Sequence, residues 1–289
     1  MNARTLAWQM KSVETSDGAG VKLRRSLGSR PGLRLDPFLM LDEFGTDRPE
    51  DYIAGFPPHP HRGFETVTYM LDGHMRHEDH LGNVGELTEG GVQWMTAGRG
   101  VIHSEMPQQE EGRMRGFQLW INLPAAEKMK PAAYRDIPAA KIPVVEADGR
   151  RVKVIAGSYA DGDERASGPI SGLTTEPLFY DVHLDAGASF EVPVPAGHAA
   201  FVYAYEGTLH AGPAEREQAV RRQSLAVLEN GDAVRVRAGD EAARFILLAG
   251  KPLGEPVVQY GPFVMNTREE IEQAIADYQE GTLAQAPAA

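Results

Sequence analysis

The chain of 289 residues has no cysteine, which removes disulfides, thiolate metal sites, iron–sulfur clusters and cysteine nucleophiles together. Any bound metal must be held by oxygen and nitrogen. No apolar run approaches the roughly 18 residues of a membrane-spanning helix, so no membrane partner is expected. The opening stretch from Met1 to Lys11 carries charge and glutamine where a secretory signal needs an apolar core, and a cytoplasmic location is expected. Basic residues are scarce as well: 29 Lys and Arg against 41 Asp and Glu leave a net charge of −12. A field of that sign repels phosphate backbones, so direct nucleic-acid binding is not expected.

What is present reads as globular and turn-rich, with 42% hydrophobic residues, 31 glycines and 20 prolines. Short apolar segments recur at Phe64 to Leu71, Gly116 to Leu123, Ala200 to Tyr205 and Ala243 to Leu248, each punctuated by Gly, Pro or Asp. That spacing predicts strands. One helix is predicted near 268–280, where Thr267 and Glu270 form a capping box and Ile271, Ala274, Ile275 and Tyr278 make an apolar stripe before Gly281. The tail after it is expected to fray.

Two stretches share an apolar strand closed by an acidic residue and glycine, Val67 to Gly73 and Phe201 to Gly207. Each is followed by a glycine-started strand ending in Ala-Gly, Gly90 to Gly98 and Gly231 to Gly239, and then by a further apolar strand. The repeat predicts an all-β chain of two tandem small barrels, since closing a sheet on itself removes its edges. Residues 1–135 form the first and residues 136–289 the second, joined near the Pro- and Ala-rich stretch from Lys128 to Pro143.

Six of the nine histidines lie between positions 59 and 103. His59 and His61 are one residue apart, so in a strand both imidazoles leave the same face, and His103 with Glu105 repeats that spacing. Two such pairs on neighbouring strands would offer three imidazoles and one carboxylate to a divalent first-row metal. Aligning Gly73 with Gly207 puts Pro193 and Pro195 opposite His59 and His61, and the first copy carries an insert, roughly Arg99 to Arg115, that holds His103 with Glu105 and is expected to be missing from the second copy. The second barrel is therefore expected to lack the site. The run His74, His77, Glu78, Asp79 and His80 reads as a solvated hairpin, and His183, His198 and His210 as surface or structural residues.

The run from His59 to Tyr69, His-Pro-His-Arg-Gly-Phe-Glu-Thr-Val-Thr-Tyr, followed by the run from Gln93 to Glu105, Gln-Trp-Met-Thr-Ala-Gly-Arg-Gly-Val-Ile-His-Ser-Glu, resembles the signature of the pirin family. Leu35 to Phe44 and Gly261 to Ile271 are similar to pirins too. The resemblance implies two tandem cupin barrels of the jelly-roll type, also called double-stranded β-helices, with the metal on His59, His61, His103 and Glu105. Glu65 is the rival fourth ligand, because His-X-His-X-X-X-Glu is the usual first cupin motif; Glu105 is favoured here. The resemblance also implies Fe(II), with other divalent metals able to substitute.

Several pirins resemble quercetin 2,3-dioxygenases, which open the central ring of a flavonol with O2 and release carbon monoxide. By that resemblance Glu105 doubles as ligand and base for the substrate 3-hydroxyl, and the partners are a flat aromatic substrate and O2. Phe56, Pro57, Pro58, Met106 and Pro107 are candidates for an apolar mouth. The alternative implied by other pirins is an iron-dependent regulatory protein acting through protein partners; a sugar-binding or isomerase cupin is a third reading.

Overall fold

The computed structural model describes residues 2–285; the end of the tail, 286–289, lies outside them. The described residues are mostly strand, with the helix Arg268–Gln279 near the end. None of their helices is long and apolar enough to cross a membrane.

The chain divides into two compact units. One holds Glu14–Arg34, Phe38–Ala139 and the segment from Leu253 onward; the other holds the N-terminal segment up to Val13, Leu35–Pro37 and Ala140–Pro252. The first contains a sheet ordered Ala133–Ile137, Val92–Thr96, Phe64–Asp72, Met114–Asn122, Phe38–Thr46, Val21–Arg25 and Val13–Asp17. Beside it is a smaller sheet ordered Phe56–His61, Val101–Pro107, His74–Asp79 and Val84–Thr88. The second unit repeats the larger sheet as Leu6–Lys11, Ser224–Leu228, Ala199–Glu206, Ala243–Gly250, Leu178–Leu184, Arg150–Ala156 and Val144–Ala147. Its smaller sheet runs Ser189–Pro193, Ala233–Ala238, Thr208–Ala211 and Gln218–Arg221. Each unit is thus one barrel, closed by two sheets of matching strand order.

The join of the two barrels falls at Ala139 and Ala140, but the ends of the chain lie on the opposite sides from the expected 1–135 and 136–289. Residues Leu6–Lys11 complete the large sheet of the second barrel by pairing with Ser224–Leu228, with Lys11 opposite Ser224. The C-terminal helix belongs to the first unit, where the buried Arg62 donates to Asp277 Oδ2 at 2.6 Å and to the Leu283 carbonyl at 3.1 Å. Its capping box forms as predicted, with Thr267 and Glu270 each accepting from the other's backbone N–H. Ile271 and Ala274 are buried against Phe263, Met265 and Leu283, while Tyr278 remains exposed.

The sheet orders also correct the internal alignment. Val92–Thr96 lies beside Phe64–Asp72 in a large sheet, so its counterpart is Ser224–Leu228, not Ala233–Ala238. Ala233–Ala238 sits in a small sheet and matches Val101–Pro107. The stretch from Arg99 to Arg115 is therefore no insert; both barrels have that strand. A Gly-to-Ala-Gly frame marks turns, and turns do not say which sheet a strand joins. Register supplies the true matches. His59 faces His103, and Val192 faces Val234. Glu105 faces His77, and Val236 faces Ala211. Thr68 faces Gln118, and Val202 faces Leu247. Two residues beyond His59, His61 matches Val194, so Pro193 and Pro195 are off by one. The valines, Ala211 and Leu247 all lie in the core of the second barrel.

Candidate metal centre

The segment Phe56–His61 is rich in proline yet pairs as an edge strand of the small sheet, where a missing N–H costs little. Alternation along it sends His59 and His61 to one face, and the antiparallel register brings His103 opposite His59. The ring centroids lie 4.7 Å apart for His59 and His61, 4.4 Å for His59 and His103, and 5.0 Å for His61 and His103. One nitrogen from each falls within 4.8 Å of the others, a spacing that could hold a metal ion.

The protonation chemistry suits such an ion. His61 and His103 are 3% and 2% exposed. Burial, reinforced by the neighbouring imidazoles, pushes both well below the usual histidine value, which keeps their rings neutral with a free lone pair. The Pro57 carbonyl can only accept, so His59 donates to it from Nδ1 at 2.8 Å, which leaves Nε2 as the nitrogen that could face an ion. His61 Nδ1 and His103 Nε2 are buried without a hydrogen-bond partner. Orphaned ring nitrogens are costly in a protein interior, and a cation among them would satisfy both.

Glu105 shares the buried face of Val101–Pro107 with His103, as the spacing predicts, but a register shift falls between them. Its carboxylate accepts from the Thr68 hydroxyl at 2.9 Å, and it is not part of the three-histidine group. Glu65 is buried on Phe64–Asp72 and accepts from Thr96 Oγ1 at 2.7 Å, also outside the group.

The solvated-hairpin reading fails for one residue. In His74–Asp79 alternate side chains turn inward, so Met75 and His77 are buried while Glu78 is exposed. His77 Nε2 lies 2.8 Å from His103 Nδ1. Its signal in the sequence was period-two alternation with an apolar Met75, obscured by the charged residues between. His74 meets Glu86 at 2.6 Å, and the Asp79 carboxylate accepts from the backbone of Leu81 and Asn83, as a surface hairpin should. His183, His198 and His210 join no ligand group among the described residues.

A cavity of about 1020 Å³ opens onto His59 and His61, at the upper end of ordinary ligand sites. His59, His61, Thr68, Glu105, Gln118 and Trp120 line it, with Phe56, Pro57 and Pro58 at one side as expected. Met106 and Pro107 are not among the lining residues. No spacing in the sequence marks Trp120 for the site, yet its ring stands edge-on to His61 at 5.3 Å and tilted on Phe64 at 4.3 Å, giving the cavity an aromatic wall.

The family model described as Pirin matches residues 20–121, and that described as Pirin C-terminal cupin domain matches residues 179–284. A Pseudomonas aeruginosa protein that carries the provisional name quercetin 2,3-dioxygenase is 56% identical over 93% of this chain and 94% of its own length. Human Pirin is 45% identical over 96% of this chain and 93% of its own length. Among solved structures, quercetin 2,3-dioxygenase from Acinetobacter baumannii superposes with a TM-score of 0.88 at 34% identity, covering 97% of this chain and 98% of that one.

Proposed function

The chain belongs to the pirin family, and from that premise we propose that it is a metal-dependent dioxygenase that opens a flavonol such as quercetin with O2 and releases carbon monoxide. The observation that carries this reading is a three-histidine group, two of whose imidazoles line, with the Glu105 carboxylate, one aromatic-walled cavity large enough for a three-ring substrate. Fe(II), or another divalent first-row ion, held by His59, His61 and His103 with Glu105 as fourth ligand, would supply Lewis acidity and redox access to O2.

The chain's own residues account for the rest. Trp120 and Phe56 flank a flat ring and exclude water from the face being attacked. Glu105 takes the proton of the flavonol 3-hydroxyl, and the charge left on that oxygen makes the ring electron-rich toward oxygen. Thr68 holds the Glu105 carboxylate in the cavity wall and is itself met by the Gln118 side chain.

The test is direct. The protein is loaded anaerobically with Fe(II), quercetin and air are added, and loss of flavonol absorbance is followed together with carbon monoxide. Stoichiometric release of the gas supports the reading. A fully loaded protein that leaves quercetin intact overturns it in favour of the regulatory alternative.

A further inference from the structure

His77 is buried, and one hydrogen bond of 2.8 Å joins its Nε2 to His103 Nδ1. Only one proton can lie between the two nitrogens. If His77 donates it, a neutral His103 carries its own proton on Nε2, where no acceptor meets it. If His103 donates it, His103 Nε2 becomes a bare lone pair among the other two imidazoles, and the orphaned proton lies instead on His77 Nδ1, also buried without a partner. Only the second arrangement leaves His103 able to bind a cation, and it needs a buried acceptor beside Nδ1. Among the described residues, that acceptor is His77.

We propose that His77 is a positioning residue of the metal centre: it accepts the Nδ1 proton of His103, fixes that tautomer and ring plane, and so presents His103 Nε2 to a divalent cation. The inference rests on the metal-centre reading above. Two observations support it besides the bond itself. The His77 ring is clamped between His103, at 4.9 Å between centroids, and Tyr134, at 5.3 Å, so the acceptor is held in place. In the second barrel, the register puts Ala211 where His77 stands, in step with valines at the positions of His59, His61 and His103. His77 is thus absent from the barrel whose matching positions offer no nitrogen to a metal. Partners that orient a ligating imidazole typically contribute 10–100-fold to metal affinity.

The test uses the full chain, stripped of metal and titrated with Co(II) against a chromophoric chelator. Its visible ligand-field spectrum also reports the coordination geometry. His77→Phe, which fills the space without an acceptor, is expected to weaken Co(II) binding about 10–100-fold and to alter the spectrum. His77→Gln, whose amide oxygen can accept from Nδ1, is expected to restore both to near wild type. Melting of the metal-free proteins is the fold control, with His77→Met replacing the Phe variant if that one does not fold. Wild-type affinity and spectrum in the variant lacking an acceptor overturn the inference alone. A wild type that binds no Co(II) overturns the metal-centre reading beneath it.

Discussion

Thr68 donates from its hydroxyl to Glu105 Oε1 at 2.9 Å, tying the large sheet of the first barrel to the small one inside the cavity. Thr68 Oγ1 also lies 2.5 Å from the Gln118 side-chain amide. The contact atom is Gln118 Oε1; a hydroxyl has one proton, so both contacts hold with an ionised Glu105 only when that amide is turned over to present its NH2 to Thr68. The chain then runs from Gln118 through Thr68 to the carboxylate.

Thr68→Val deletes the donor at nearly constant volume. Flavonol turnover should fall about tenfold, equivalent to about 1.4 kcal/mol in the barrier, because Glu105 is no longer held toward the substrate. Metal content should stay at the wild-type level. Steady-state kinetics with parallel metal analysis separates the two, and turnover at the wild-type rate would remove Thr68 from the mechanism.

Glu105→Gln keeps shape and hydrogen bonding but loses basicity. Turnover should drop by roughly 10²–10⁴, the usual size of a general-base contribution. Metal content should fall far less, since the three histidines hold together without the carboxylate. Equal losses of metal and turnover would show Glu105 to be a ligand rather than a base.

The histidine group was legible in the sequence because strand alternation is rigid: residues i and i+2 leave one face whatever else the chain does. The same rule placed Glu105 on the correct face yet could not place its carboxylate, because rotamer and bulge decide whether a long side chain turns to its strand neighbour or to Thr68 across the barrel. His77 was hidden by composition, since Arg76, Glu78 and Asp79 around it suggest a solvated face. The exchange of chain ends was hidden by distance. Nothing local in Leu6–Lys11 says that its partner is Ser224–Leu228, more than two hundred residues away. The two-barrel plan survived because it rested on repetition, which needs no knowledge of pairing.

The second barrel predicts what happens when the site is erased. Val194 and Val234 occupy the positions of His61 and His103 and are buried in a continuous apolar core. His61→Val combined with His103→Val removes two orphaned ring nitrogens from the interior. The metal-free double variant should unfold at about the same temperature as the metal-free wild type, because the two orphaned nitrogens it removes are offset by His77 Nε2, which loses its partner on His103. With metal present the wild type should melt higher, because only the wild type gains stability from binding. Differential scanning calorimetry with and without Co(II) reads both. A metal-free variant that melts well below wild type would mean that the imidazoles serve packing.

Lys128 gives the first unit a pH dependence of its own. It is almost fully buried, and its Nζ donates to the Gly63 carbonyl at 2.7 Å, Asn122 Oδ1 at 2.6 Å and the Val264 carbonyl at 2.9 Å, so all three protons are used on uncharged oxygens. Burial lowers its pKa from 10.5 to about 8, with Glu255 and Glu270 pulling weakly the other way. The unfolded chain therefore binds this proton more tightly than the folded one. The contribution to stability is full above about 10.5 and is lost as the pH falls through about 8. Its ceiling is on the order of 3 kcal/mol, less whatever the deprotonated amine loses by giving up one of its three donors. Lys128→Met strands three oxygens in the interior and should cost about 3 kcal/mol near neutrality, while abolishing this rise. Denaturant melts of both proteins between pH 7 and pH 10 test it, because the other titrations cancel in the difference. The wild-type advantage should widen with pH across that interval; a constant gap would show that Lys128 keeps an ordinary pKa and that its three hydrogen bonds fully compensate its burial.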